Sequence, residues 1–573
     1  MIEMTLREIA DVVGGTLHDV PDPEVPVTGA VEFDSRRIQP GGLFLALPGE
    51  KADGHDYASA AIESGAVAVL AARPVGVPAI VVRPFPGEKR AGEQEGAGAG
   101  EREGARAGEQ GGARAGEQGG ARAGEQGGAR ADEQGRAQVG EQERVAAGEQ
   151  EGARAGEQGA VGAGEQKGSG GAYALAHDVD GSGAAVLGAL AKLARAVVDR
   201  LVGESGLTVV GVTGSSGKTS TKDLLASVVA PLGEVVAPPG SFNNEIGHPW
   251  TALRATRSTR YLVLELSARG HGHIKALTEI APPRIGVVLN VGTAHLGEFG
   301  SREAIAQAKG ELVEALPADG VAVLNADDAK VAAMASRTAA RVVTVGQSAG
   351  AEVRATDVTL DEAARARFTL SANGQTAEVR LAVHGEHQVG NALSAAAVAL
   401  ECGADLDTVA RALSGATVAS AHRMDVRTRP DGVTVINDSY NANPDSMRAA
   451  LKALVTMAKS GERPRRSWAV LGEMAELGDD SVVEHDRIGR LAVRLDVDRL
   501  VVVGTGRPSH GLHQGAVMEG SWGEESILVP DLDAAIALLD DELAPDDVVL
   551  VKASNSVGLW RVAQHLTNTE AAR

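Results

Sequence analysis

The chain has 573 residues, with 55 Lys plus Arg against 77 Asp plus Glu, 73 Gly, 4 Trp, 4 Tyr, 6 Phe and one Cys. A net charge of −22 excludes a broad nucleic-acid footprint, which needs a basic face. The single cysteine excludes an intramolecular disulfide framework and any multi-cysteine metal site. At about 100–200 residues per domain, the length allows about three to five domains unless part of it does not fold.

The opening stretch MIEMTLREIADVVGG carries acids and no long apolar run. It reads as neither a signal peptide nor a membrane span, and a cytoplasmic setting is expected. Thr5 and Glu8 predict a capping box opening a short helix that stops at Gly14 and Gly15. Strand-like runs follow (VPVTGAVEF, GLFLAL, AVAVLAA, PAIVVRP), with a helix around YASAAIESGA, and residues 1–87 read as a small α/β domain.

Residues 88–167 divide into ten octads, with GARAGEQG at positions 104, 112, 120 and 152. These 80 residues hold 22 Gly, no aromatic and no Leu, Ile or Met. Ordering them costs about 1–2 kcal/mol per residue, which so little apolar surface cannot offset, so 88–170 is expected to be a disordered insert. With 11 basic and 16 acidic residues, the octads carry −5 of the −22.

AAVLGALAKLARAVVDRL (184–201) predicts an amphipathic helix entering a middle domain, 171–420. There LTVVGVTG, YLVLEL, RIGVVLNV and GVAVLNAD alternate with helical stretches, the pattern of a parallel sheet covered on both faces. The alternation resumes in 421–573 with GVTVIND, SWAVLGEM, RLVVVG, SILVP and DVVLVKAS. The expected class is α/β: two larger α/β domains behind a smaller one.

GVTGSSGKTS lies between the strand LTVV and the helix KDLLASVV. Glycines let backbone N–H groups turn toward phosphate oxygens, and the helix N-terminus adds its dipole. Lys218 is placed to reach β- and γ-phosphates and the Thr219 hydroxyl to bind Mg²⁺. The spacing departs from the strict phosphate-loop pattern, since position 212 is Val and Gly211 lies one residue early. Glu265 ends the strand RYLVLE, His295 follows RIGVVLNVGTA, and Lys309 sits in AIAQAKGEL. Alone, each reads as an ordinary strand-end acid, structural histidine or solvated lysine; with the loop, all three can face one polyphosphate site.

The succession TGSSGKTS, SFNNEIG, LELSARGHG, NVGTAHLGEFGS, AKGEL, NADD, GEHQVGNALSAAAVAL, AHRMD, NDSYNANPDSM, LGEMAELG and VKAS resembles the Mur ligase family of peptidoglycan synthesis. DSRRIQPGGLFLALPGEKADGHDYASAAIESGA is similar to the uridine-binding domain of its later-acting members. The resemblance covers everything except 88–170. It implies three domains: uridine-binding, central phosphate-loop ATPase and C-terminal Rossmann-like. DSYNANPDSM with LGEMAELG resembles the member that joins D-alanyl-D-alanine to a UDP-N-acetylmuramoyl-tripeptide, and no DNPR motif of the preceding, amino-acid-adding ligase is present.

The resemblance further implies ATP and Mg²⁺ as cofactors, an acyl phosphate made from the tripeptide carboxylate, and attack on it by the dipeptide amine. It sets Gly214, Ser215, Ser216, Gly217, Lys218, Thr219 and Ser220 on the triphosphate, and Thr219 and Glu265 on a first Mg²⁺. His295 and Lys309 match a second metal site, where the family's lysine is often carbamylated. Asn243 and Asn244 match a pair near the acyl-bearing substrate, and Asn391 the adenine contact, with His387 orienting its helix. Asn325, with Asp327 and Asp328, is implied on the nucleotide side, although a strand-end turn explains NADD equally well. Arg423 and Asp438 would complete the site when the C-terminal domain closes. Tyr440, Asn441, Asn443 and Lys552 would seat the dipeptide, and Ser35 and Arg36 the uridine diphosphate. Ser241 stands where many relatives have Asn, and Ala553 and Asn555 where Gly and Arg are common. A monomer without a membrane span is expected.

Overall fold

The computed structural model describes residues 1–49, 52–83, 178, 180–294, 296–417, 419–520, 523 and 525–568. The octad segment and His295 lie outside the described residues. The described residues form one compact unit.

Helix Leu6–Val13 opens on the expected box: Thr5 Oγ1 accepts the Glu8 N–H, and the Glu8 carboxylate accepts the Thr5 N–H at 2.8 Å. It stops where Gly14 turns left-handed, with φ +73°. Behind it stands a five-stranded sheet in the order Thr16–His18, Ala79–Val81, Ala66–Ala71, Gly42–Leu45 and Val31–Glu32. All pairings in it are parallel except the first. Helix Ser182–Ser205 then buries Val186, Leu190, Leu193, Val197 and Leu201, one stripe at helical spacing. One apolar cluster runs from Leu6 and Ile9 through that stripe to Leu262 and Leu264 of the next sheet.

That sheet has nine strands. Seven are mutually parallel, in the order Val353–Leu360, Arg341–Gly346, Val321–Asn325, Ile285–Val288, Thr208–Thr213, Thr259–Glu265 and Glu234–Val236. Parallel strands covered on both faces read as unbroken apolar runs, which is why LTVV, YLVLEL and RIGVVL were legible as strands. The remaining two strands depart from the expected parallel pattern. Arg365–Ala372 and Gln375–His384 extend the sheet antiparallel, their residues largely alternating between buried and exposed. Asn373 and Gly374 join them with φ of +52° and +74°, the two positive values a type I′ hairpin turn requires.

The third sheet runs Asp425–Thr428, Thr434–Asn437, Val548–Lys552, Ser467–Leu471, Arg499–Val503 and Ser526–Val529, parallel except at its first strand. In the central sheet, Thr208–Thr213 lies between Ile285–Val288 and Thr259–Glu265. The chain thus leaves its first strand in opposite directions, and a crevice opens at the C-terminal ends of these strands. No described helix is long and apolar enough to cross a membrane.

One buried group makes this fold sensitive to acid. His248, on helix Gly247–Ala252, is fully buried, and neither ring nitrogen has a hydrogen-bond partner among the described residues. Burial pushes its pKa down to about 4, against a weaker opposing pull from the Glu265 and Leu277 carbonyls. An unfolded histidine titrates near 6.5, so the unfolded chain takes up the proton first. This contribution to stability is constant above pH 6.5 and declines as pH falls toward 4. At pH 5 the loss is about 2 kcal/mol. In denaturant unfolding, His248→Phe is expected to shrink the difference between pH 7 and pH 5 by that amount, whatever its own stability.

Candidate active site

The loop 214–217 leaves strand Thr208–Thr213 and feeds helix Lys218–Val229. Gly217 caps that helix with φ +81° and no side-chain hydrogen bond, so first-turn N–H groups remain for a ligand. A Cβ at Gly217 would meet Asn391 Oδ1 at 2.6 Å, so glycine is required sterically as well. The loop is clamped by a residue that the sequence reading missed. Asn290 Oδ1 accepts the Ser215 and Ser216 N–H groups, both at 2.9 Å, and its Nδ2 donates to the Ser216 carbonyl at 3.1 Å. The signal was present as the Asn of NVG, directly after strand Ile285–Val288. Lys218 is half-buried, and its ammonium folds back to donate to the Gly214 carbonyl at 2.8 Å. Ser220 follows in the first turn of the helix.

Beside the loop, side chains from the phosphate-loop helix and from the segment before helix Gly247–Ala252 converge on one carboxylate. Glu265 is 1% exposed; it accepts the Thr219 hydroxyl at 3.0 Å and Asn243 Nδ2 at 2.8 Å. Ser241 Oγ lies 2.8 Å from Thr219 Oγ1. Arg423, from the C-terminal sheet's side, donates to Ser241 at 3.1 Å and to Thr219 at 3.4 Å, and its guanidinium stacks 4.2 Å from the Tyr440 ring centre. Among the described residues Glu265 has no ion-pair partner.

Two lysines complete the electrostatics. Burial lowers the Lys218 pKa and Arg423 lowers it further, while Glu265 and Glu476 pull it up. Lys309, on helix Arg302–Glu314, is 3% exposed and has no hydrogen-bond or ion-pair partner among the described residues. Burial first, and Lys218 second, hold its pKa well below the ordinary lysine range. Glu476, also missed by the sequence reading, reaches Arg269 at 3.5 Å from a left-handed backbone, φ +65°. Such strain in a non-glycine residue is typical of functional loops.

A cavity of about 460 Å³ is lined by residues of both the central and the C-terminal domains. Gln347, His387 and Gly390 line one wall, and Asp445, Arg448 and Lys452 of helix Pro444–Lys459 the other. The helix also touches the loop region directly. Asp445 accepts the Thr293 N–H at 3.1 Å, and Asn443 Nδ2 donates to the Ser215 carbonyl at 3.4 Å.

Models of the Mur ligase middle domain, the Mur ligase glutamate ligase domain and the Mur ligase family catalytic domain match residues 212–399, 422–555 and 29–97. A UDP-N-acetylmuramoyl-tripeptide–D-alanyl-D-alanine ligase of Mycobacterium tuberculosis is 56% identical over 580 residues, covering 99% of this chain and 98% of that relative. The chain belongs to the Mur ligase family. Among solved structures, MurF from Acinetobacter baumannii shares the fold, with a TM-score of 0.72 at 24% identity over 99% of this chain and 100% of that one. MurF ligase from Thermotoga maritima in complex with ADP follows at TM-score 0.64 and 25% identity, covering 94% and 97%.

Several positions matched to Mur ligase motifs have side chains already engaged within the protein. Asn244 Oδ1 accepts the Gly247 N–H at 2.9 Å at the entry to helix Gly247–Ala252. Asn325 Nδ2 donates to the Leu289 carbonyl at 2.9 Å; Asp328 caps Ala329–Ala332, and Asp327 takes the Gln347 and Ser348 N–H groups. NADD is therefore a strand-end turn here. Asn391 packs beneath Gly217 and donates to Gln388 at 2.8 Å, which leaves His387 and Gly390 on the cavity wall.

Lys552, expected at the dipeptide, turns inward. Its ammonium is buried and donates to the Asp438 carboxylate at 2.6 Å and the Asn441 carbonyl at 2.8 Å. Asp438, expected on the cofactor, is held by Lys552 and by the Met424 N–H at 3.2 Å. The third ammonium proton faces the Asp438 carbonyl at 3.3 Å, so every Lys552 proton is engaged and the pair shapes the Tyr440–Asn441 loop and the backbone beside Arg423. Asn443 caps Pro444–Lys459 in a capping box with Ser446. Ser35 and Arg36 lie in the turn Ser35–Arg37; Arg36 is exposed and grips Asp34 through two hydrogen bonds, at 2.8 and 2.9 Å.

Proposed function

We propose that this chain is an ATP-dependent ligase that joins D-alanyl-D-alanine to a UDP-N-acetylmuramoyl-tripeptide. It acts as a single chain in the cytosol, where ATP and nucleotide-linked precursors are available. The observation that carries the reading is the end-to-end likeness to the mycobacterial ligase, 56% identical over 99% of the chain.

The geometry supports the chemistry at each stage. Loop 214–217 and Lys218 bind the triphosphate, and the cavity beside His387 receives the base, opposite Arg448 and Lys452. Glu265 suits a hard cation: it is a buried carboxylate bonded only to neutral donors, with two hydroxyl groups alongside. Mg²⁺, when held by Thr219 and Glu265, supplies the neutralisation that lets a γ-phosphate meet a carboxylate. Lys218 and Arg423 add the cationic charge that remains necessary. The tripeptide carboxylate attacks the γ-phosphorus and ADP leaves. The dipeptide amine then attacks the acyl carbon, phosphate departs and the amine sheds its proton, giving the amide.

Lys309, buried, without a hydrogen-bond or ion-pair partner among the described residues and with its pKa held well below the ordinary lysine range by burial, is suited to add to CO₂. One N–C bond forms, a proton leaves, and an anionic oxygen ligand replaces a cation. Together with His295 it then serves a second metal ion. Arg36 exchanges Asp34 for the diphosphate, a bidentate partner of the same kind.

Purified protein supplied with ATP and either UDP-linked tripeptide plus D-alanyl-D-alanine, or the UDP-linked precursor one residue shorter plus a free diamino acid, is the test, read by mass spectrometry. Amide product is expected with the dipeptide alone; product only with the amino acid would move the assignment to the preceding ligase.

A further inference from the structure

Thr219, Ser241 and Arg423 meet at the metal side of the loop, yet they come from three separate segments. Three residues along each segment, the chain meets again in a second, buried layer. Lys222 follows Thr219 by one helical turn, Pro238 precedes Ser241, and Ser420 precedes Arg423 by the same spacing. Lys222 Nζ donates to the Pro238 carbonyl at 2.8 Å and to Ser420 Oγ at 3.2 Å, and pairs with Asp223 Oδ1 at 2.5 Å. Asp223 in turn accepts the Ser420 N–H at 3.1 Å and the Ser420 hydroxyl at 3.2 Å. Lys222 is 2% exposed and Asp223 5%. Every ammonium proton has an acceptor, and both carboxylate oxygens have donors.

A buried ion pair adds little net stability over apolar side chains of similar volume, but losing one partner is costly. Its distinctive property is fixed geometry, and here the geometry concerns the strand of chain that delivers Arg423. That residue needs external support. Among the described residues its Nε is buried without a hydrogen-bond partner, and Tyr440 lies against the face of its guanidinium. Downstream, Asp438 holds the Met424 N–H; upstream, Ser420 fixes where the Arg423 segment starts.

We propose that Lys222 and Asp223 are positioning residues for Arg423: by clamping Ser420 and Pro238 to the phosphate-loop helix, they set the register in which Arg423, Ser241 and Thr219 face the terminal phosphate. The proposal rests on the ligase reading above, in which Arg423 acts on the γ-phosphate. It separates the two buried charges from the catalytic set, since neither touches substrate.

The test compares affinities for a non-hydrolysable ATP analogue and for ADP, both with Mg²⁺, by calorimetry. Arg423→Ala is expected to weaken the analogue about tenfold relative to ADP, the value of one charge-assisted hydrogen bond. Asp223→Asn is expected to reproduce most of that change, and Ser420→Ala, which removes only a hydroxyl, part of it. In Asp223→Asn/Arg423→Ala the ratio stays at the Arg423→Ala value, because the clamp has nothing left to position. A multiplied effect in the double variant overturns the proposal, as does a wild-type ratio in Ser420→Ala and Asp223→Asn. A wild-type ratio in Arg423→Ala removes the role of Arg423 and the proposal together. Failure of the ligase reading is separate: wild-type protein then forms no amide, whatever the ratios are.

Discussion

Replacing Lys218 with alanine is expected to lower amide formation by at least about 10³-fold, to the floor of a coupled ADP assay. The chain should nevertheless fold and bind the UDP-linked substrate as before. The asymmetry follows from the partners of the side chain. Among the described residues its one hydrogen bond goes to Gly214 within its own loop, which the Asn290 clamp holds independently. Alanine is a good helix former at the start of Lys218–Val229, so the helix loses little. A mid-point of thermal unfolding within a few degrees of wild type is therefore expected. The charge, in contrast, is irreplaceable, since Lys218 is the loop's own cation and lies where two anionic reactants must approach. Arginine should not rescue it, because a planar fork cannot follow the ammonium's path along the loop. Substantial residual turnover in Lys218→Ala would remove the loop from the chemistry.

How much of this was legible in the sequence depended on whether the determinant was local. Strand-to-helix junctions were, because a buried parallel strand is an unbroken apolar run and Gly-Lys-Thr marks where it turns. The capping box at Thr5 and Glu8 was legible for the same reason, being closed within four residues. The hairpin at Asn373 and Gly374 was equally local but was overlooked, since the surrounding helix–strand alternation suggested a parallel sheet throughout. Asn290 carried a weaker signal: its function lies in reaching two amides 74 and 75 residues away. The inward pair of Lys552 and Asp438 shows the opposite limitation. A motif fixes which residue types occur together, but only the packed structure shows whether a cation faces a ligand or closes a core. The Ser420 clamp is similar, its members being 197 and 198 residues apart in the chain.

Glu265→Gln separates the metal site from the scaffold that carries it. The side chain ends strand Thr259–Glu265 in near-complete burial, with one neutral donor on each carboxylate oxygen. Glutamine keeps the shape. Its oxygen can still accept from Asn243, and its amide can donate to Thr219, whose hydroxyl then turns toward Ser241 2.8 Å away. No buried polar atom need lose its partner, so unliganded stability should stay within about 1 kcal/mol of wild type. Metal affinity should not survive, because an amide oxygen lacks the charge that compensates for removing water from a divalent ion. Two readouts follow. Amide formation falls by about 10²–10³-fold at ordinary Mg²⁺ and recovers only partly when Mg²⁺ is raised. The rise in thermal mid-point that Mg²⁺ adds to ADP in the wild type, a direct measure of ligand-linked stability, disappears in the variant. An unchanged Mg²⁺-dependent rise would mean that the ion sits elsewhere, and Glu265 would then serve only to hold Asn243 and Thr219 in place.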